Sequence, residues 1–267
     1  MRDFADYRHY VFDLYGTLIN IHTDETLPEL WRWMADWYAV FGADWTPVAM
    51  RRRYRRLCAA EEALLRRQTG CATPEIQIDK VFLRLFREAD RRHPAACAPR
   101  GDAAEAAWAA MTANGFRVCA RVWLRPYPAA RELLERLRAR GKGVYLLSNA
   151  QAVFTRPEIE QCGLADAFDD VFLSSDHGIR KPEPAFLAEL MAAHGMAAAE
   201  TVMIGNDWRD DMGVAAANGV AGIVVNSDRL SAARRRECRA ELAARFSPDA
   251  AARIADVPSL AHLLRRL

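Results

Sequence analysis

Residues 9–18 read HYVFDLYGTL, an apolar run that ends on a carboxylate, Asp13, and then meets Gly16. A short apolar run closed by turn residues predicts a buried strand over 9–15. Four similar runs follow: GVYLLS at 143–148, DVFLS at 170–174, TVMIG at 201–205 and GIVVN at 222–226. Helical patterns over 127–140, 184–194 and 210–218 separate the later runs, each followed by a glycine that suits a helix stop. Strand alternating with helix predicts an α/β core, a parallel sheet covered on both faces.

Between about residue 20 and residue 122 that rhythm stops. The stretch reads as three or four amphipathic helices with no comparable strand, so a helical domain is expected to be inserted after the first strand. Thr46-Pro47 reads as an N-cap with a first-turn proline, and Thr73-Pro74 as the same device. Leu27, Leu30, Trp31, Met34, Trp37 and Tyr38 fall at helical spacing and are read as bundle packing. The arginine-rich runs at 51–56 and 234–236 are read as solvated helix faces. The last segment, 230–267, reads as a basic helix, then ARIADV, then an amphipathic turn that completes the core.

Composition narrows the function classes. The chain has 267 residues and 30.0 kDa, is 51% hydrophobic and 27% charged, and carries a net charge of +2. A balance so near neutrality gives no electrostatic case for a nucleic-acid or membrane partner. No apolar run approaches the ~20 residues that cross a bilayer. The first ten residues are too polar for a signal peptide, and a cytoplasmic protein is expected. Six scattered cysteines with no CxxC pair suggest neither a disulfide framework nor a zinc site. Of the 37 basic side chains only Lys80, Lys142 and Lys181 are lysines, which draws attention to each.

Four polar clusters lie at or just beyond the carboxyl ends of expected strands, the edge where open parallel sheets bind ligands. Asp13 ends the first, a costly place for an unpartnered carboxylate. Ser148 and Asn149 end the second. Lys181 precedes the proline-started helix at 184 and offers a positive charge. The fourth is GNDWRDD at 205–211. With a helix beginning near Asp207, residues 207, 210 and 211 would share one face. Three close carboxylates repel one another unless a cation or a lysine sits among them, and a hard magnesium-type site would resolve this.

Taken together, DLYGTL, Ser148-Asn149, Lys181-Pro182 and GNDWRDD resemble the four motifs of the haloacid dehalogenase-like hydrolase superfamily. The resemblance implies a Rossmann-like α/β core (HAD fold) over 1–19 and 123–267, with 20–122 as an inserted α-helical cap domain. It implies Asp13 as nucleophile, Thr17 and Gly16 as loop support, Ser148 as the hydroxyl that holds a substrate oxygen, Asn149 beside it in the catalytic set, and Lys181 as neutralising cation. It further implies Mg2+ held by Asp13, the main-chain carbonyl of Tyr15, Asp207 and Asp211. Asn206 leaves open which residue of that loop is the direct ligand.

Tyr15 departs from the phosphatase pattern, which carries there an aspartate that protonates the leaving group. General acid help is worth roughly 10²–10⁴-fold, and a phenol with an ordinary pKa of about 10 is a weak substitute. Three readings follow. A magnesium-dependent phosphohydrolase could act on a small phosphorylated metabolite with a good leaving group, or recruit an acid from His22, Asp24 or Glu25. A 2-haloacid dehalogenase expels halide, which needs no proton, and carries tyrosine at this position. A catalytically weakened binding or regulatory module is the third. The retained acids of 207–211 favour the phosphohydrolase, since a carboxylate attacking a phosphate gains from a divalent cation.

Overall fold

The computed structural model describes residues 3–89 and 95–267. In chain order the elements are β1 (His9–Phe12), β2 (Ile19–Thr23), α1 (Pro28–Val40), α2 (Pro47–Thr69), α3 (Ile78–Arg87), α4 (Asp102–Ala120) and β3 (Arg121–Pro126). Then come α5 (Ala130–Ala139), β4 (Gly143–Ser148), α6 (Ala152–Gln161), β5 (Asp170–Leu173), α7 (Ser174–His177) and α8 (Pro184–Ala193). The chain closes with β6 (Thr201–Gly205), α9 (Asp211–Ala217), β7 (Ala221–Val225), α10 (Ala232–Arg245), α11 (Pro248–Ala252), β8 (Ile254–Val257) and α12 (Leu260–Arg265).

Two compact units emerge. One comprises the chain up to Ile21, Leu124–Ala152 and Glu158–Leu267; the other comprises His22–Trp123 and Val153–Pro157. The first unit is an α/β fold around a six-stranded parallel sheet of order β5-β4-β1-β6-β7-β8. Both faces are covered, and alternate strand residues feed different layers. Tyr10, Phe12, Leu146 and Ile204 enter one cluster, while Val11, Leu147 and Met203 enter the other. Period-two alternation sends neighbouring side chains to opposite faces, so a doubly covered strand is apolar throughout.

The second unit packs α1 to α4 about an aromatic core. Leu30, Trp31, Met34 and Tyr38 of α1 are buried there with Phe82, Phe86, Trp108 and Phe116, and the Trp37 indole donates to Thr112 at 2.8 Å. The stripe expected to be packing is packing. At Thr46 the N-cap is present, its hydroxyl accepting from Ala49. Thr73-Pro74 starts no helix: α3 begins only at Ile78, after Gln77. The arginine run lies on α2, where Arg53 pairs with Glu88 at the surface.

Two sheet elements were not expected from the sequence. ARIADV supplies β8, the edge strand beside β7. Residues 19–23 and 121–126, at the two ends of a stretch expected to hold no comparable strand, form the two-stranded β2-β3 sheet. Their side chains alternate little in burial, so hydrophobic periodicity gave them no signal. Among the described residues no helix is long and apolar enough to cross a membrane.

Candidate active site

Register places the polar clusters side by side. Phe12 pairs with Leu146 of β4 and Ile204 of β6, so Asp13 emerges between the ends of those two strands. Its amide donates to the Ile204 carbonyl at 2.8 Å. The connection leaves β1 toward β4 and β5, and later returns to β6 on the other side, which makes this the point where the strand order reverses.

After Asp13 the chain folds back tightly. Leu18 and Ile19 both donate to the Leu14 carbonyl, and Gly16 donates to that of Ile19. Gly16 sits at φ 86°, and a Cβ there would come within 2.5 Å of the Asn206 amide. Conformation and space both require glycine at this position.

Asp13 is 6% exposed, Lys181 2% and Asp211 1%. The Lys181 ammonium donates to Asp13 Oδ1 at 2.7 Å, Asp211 Oδ1 at 2.6 Å and the Leu147 carbonyl at 2.8 Å. All three ammonium protons are thereby used. Burial alone would pull the lysine's pKa down, but Asp13 and Asp211 outweigh it and hold the pKa above its ordinary value. Burial pushes Asp211 up, Lys181 opposes, and the nearby Asp13 charge adds to the rise. Asp210 is also raised, by burial and by the charge of Asp207.

The remaining expected residues fall around this ion triad. Thr17 donates to Asp13 Oδ2 at 3.1 Å and also lies 3.2 Å from Asn206 Oδ1. The Ser148 hydroxyl lies 3.5 Å from Asp13 Oδ1, at the edge of hydrogen-bond range. Asn149 clamps the lysine's backbone, accepting from its amide at 2.7 Å and donating to its carbonyl at 2.9 Å. It also reaches Asp210 Oδ2 at 3.2 Å.

The acidic loop differs from the expected helix face. α9 starts at Asp211, and Asp207 lies in the turn before it. The Asp207 carboxylate accepts from the amides of Arg209 and Asp210, both at 2.7 Å, and its own amide donates to Asp211 Oδ2 at 2.9 Å. Local side-chain to backbone bonding of this kind favours a turn over a first helical turn. Asp13, Tyr15, Ser148, Asn149, Lys181, Asn206, Asp207, Asp210 and Asp211 line one pocket of about 170 Å³.

The donor set suits a hard divalent cation in kind and in sign. It offers oxygen ligands, and four carboxylates face a single ammonium. Among the described residues no three histidine, cysteine or acidic side chains are already arranged as a metal cage. Asp211 spends its oxygens on Lys181 and the Asp207 amide, so Asp13 Oδ2, Asn206 Oδ1 and Asp210 are the side-chain oxygens better placed for an ion.

One group in the site had no sequence signal. The Tyr15 hydroxyl donates to Glu158 Oε2, and Glu158 is 2% exposed. It lies on α6, 143 residues from Tyr15 and in no motif.

A family profile described as haloacid dehalogenase-like hydrolase matches residues 7–219. A phosphoserine phosphatase from Thermus thermophilus is 33% identical over 38% of this chain and 40% of its own length. A glyceraldehyde 3-phosphate phosphatase from Methanothermobacter thermautotrophicus is 29% identical over 42% of this chain and 49% of its own. The chain thus spans less than half the length of these curated relatives. Among solved structures, a 2-haloacid dehalogenase from Pseudomonas syringae superposes over 97% of both chains with TM-score 0.62 and 19% identity. A HAD phosphatase from Thermococcus onnurineus gives TM-score 0.53 and 16% identity over 97% of this chain and 96% of its own.

Proposed function

The chain belongs to the haloacid dehalogenase-like hydrolases, and from that membership we propose that it is a magnesium-dependent phosphohydrolase acting on a small phosphorylated metabolite. The observation that carries this reading is the charge imbalance of the pocket, with one ammonium among the carboxylates of Asp13, Asp207, Asp210 and Asp211.

Asp13 is the nucleophile. An oxygen of its carboxylate bonds to phosphorus as the bond to the leaving oxygen breaks, giving an aspartyl phosphate. Water then attacks that phosphorus and frees Asp13, so one difficult displacement becomes two. Lys181 offsets the charge of Asp13, Ser148 offers a hydroxyl to a phosphoryl oxygen, and Thr17 and Gly16 hold the loop. Asn149 fixes Lys181 through its backbone. Mg2+ would be held by Asp13, the Tyr15 carbonyl, Asn206 and Asp210, with Asp207 and Asp211 shaping the loop around it. When bound, the ion would supply Lewis-acid charge neutralisation of the phosphoryl group. The helical unit corresponds in chain order to the family's cap, and the protein is assigned to the cytoplasm.

Tyr15 favours one competing reading, 2-haloacid dehalogenation, because halide leaves without a proton. The test is hydrolysis of p-nitrophenyl phosphate and acetyl phosphate, each with Mg2+ and with EDTA, beside halide release from 2-chloropropionate. Phosphate release that requires Mg2+ upholds the proposal. Halide release that ignores EDTA replaces it with the dehalogenase, and stoichiometric capture of a partner without turnover of any substrate replaces it with the binding module.

A further inference from the structure

We infer that Glu158 is a positioning residue that holds the Tyr15 hydroxyl proton away from the leaving group, and that the substrates are therefore mixed carboxylic–phosphoric anhydrides (acyl phosphates) rather than alkyl phosphates. This rests on the phosphohydrolase reading above and adds a substrate class to it.

A phenol has one O–H to give. At Tyr15 it is given to the carboxylate of Glu158, which at 2% exposure has almost no water to take the phenol's place. Donating that proton to a departing alkoxide would cost the buried carboxylate a charge-assisted hydrogen bond, a stronger class than a neutral one. The arrangement is fixed from the core side. α6 follows directly on the Ser148-Asn149 end of β4, and its approach is pinned where the Ala150 and Ala152 amides donate to Ser174 and Ser175, both at 2.8 Å. Tyr15 itself follows Asp13 by two residues, so the phenol is committed elsewhere at the position where an acid would serve an alkyl substrate.

An acyl phosphate has no need of that acid. As the Asp13 oxygen bonds to phosphorus, the phosphorus–oxygen bond breaks and its electron pair leaves on a carboxylate, which is stable near neutral pH without a proton. An alkoxide leaving by the same route would require one.

The test compares kcat/KM for acetyl phosphate and for glycerol 3-phosphate, both with Mg2+, in the wild type, Tyr15→Phe, Glu158→Leu, Glu158→Gln and the double variant Tyr15→Phe/Glu158→Leu. The wild type should prefer acetyl phosphate by far more than the difference in intrinsic reactivity. Glu158→Leu removes the carboxylate that takes the phenol's proton and should shrink the ratio by about tenfold or more, part of the gain typical of general acid help. Glu158→Gln, which keeps the packing, should shrink it less, and adding Tyr15→Phe to Glu158→Leu should restore it. A merely structural Glu158 would lower both substrates in parallel. A constant ratio in both Glu158 variants overturns the inference, as does a selective loss of glycerol 3-phosphate hydrolysis in Tyr15→Phe alone. If the wild type hydrolyses neither substrate, the phosphohydrolase reading fails. The hydrogen bond is then judged by proton NMR: a low-field hydroxyl resonance lost in Tyr15→Phe and moved upfield in Glu158→Gln keeps the positioning role, and its absence from the wild type removes it.

Discussion

Asp13 and Asp211 share the single ammonium of Lys181, and all three side chains are almost fully buried. Removing one partner of a buried ion cluster usually costs about 3–5 kcal/mol, so substitutions here are best kept isosteric. Asp13→Asn keeps an acceptor for Lys181 and Thr17 but has no nucleophilic carboxylate. It should lower kcat by about 10³-fold or more while the fold survives, checked by turnover of acetyl phosphate beside circular dichroism. Tyr15→Asp should raise hydrolysis of glycerol 3-phosphate by about tenfold or more, because it installs a carboxylic acid where the phenol is now bound to Glu158; a steady-state comparison with the wild type reads this out. At this scale Asp13 and the acidic loop are legible in the sequence because each ends an apolar strand run, and Lys181 because it is one of three lysines and stands just before a proline-started helix. Glu158 is not legible. One glutamate on a helix differs in no local respect from a solvated one, and only the tertiary contact sets it against Tyr15.

The elements divide by how much of their shape is local. β4 and β6 have the bounds expected from their apolar runs, since strands buried on both faces are uniformly hydrophobic and end where polar residues begin. β1 stops at Phe12, three residues earlier than expected, because Gly16 and the Leu14 carbonyl draw the following residues into the turn. Gly16→Ala would have to hold a left-handed φ and push a methyl group into Asn206. Strain of this kind costs about 1–3 kcal/mol, and the variant should show a lower denaturation midpoint together with a lower kcat. In the helical unit, Phe82 stacks on Tyr54 with centroids 5.5 Å apart and lies 5.1 Å from the Phe116 ring. Phe82→Ala should destabilise that unit by about 3–5 kcal/mol, measured by urea unfolding followed through tryptophan fluorescence. Thr46-Pro47 and Thr73-Pro74 look alike in sequence yet only the first begins a helix. A cap signal acts only where an apolar stripe follows at once to be buried, and after Pro74 the helix waits until Ile78.

At the scale of the whole molecule the acidic pocket links stability to pH and to cations. Burial raises the pKa of Asp210 and Asp211 in the folded state. A raised carboxyl binds its proton more tightly when folded, so the contribution to stability is full below the unfolded value of about 4 and is lost as the pH climbs through the folded value. Metal-free protein should therefore lose stability as the pH rises from about 4 through the folded value of Asp211, pushed up to about 7, with Asp210 acting in the same direction. Mg2+ should restore it, by about 2.7 kcal/mol at a hundredfold excess over its Kd, and should raise Tm more at pH 8 than at pH 5. Calorimetry with Mg2+ and with EDTA at both pH values checks this. An equal effect at the two values would show that the ion does not compete with protons at Asp210.

The sequence by itself determined the parallel sheet, the inserted helices and the four strand-end clusters, because periodicity and the cost of burying charge are written in consecutive residues. Three things were decided only by the tertiary structure: the pairing of β8 and of β2 with β3, the turn that takes Asp207 off the helix, and the meeting of Tyr15 with Glu158. The strand pairings and the Tyr15–Glu158 contact depend on groups distant in the chain satisfying one another's hydrogen bonds, which no local pattern records; the Asp207 turn is held by neighbouring amides, in a competition with the first helical turn that charge spacing alone does not decide.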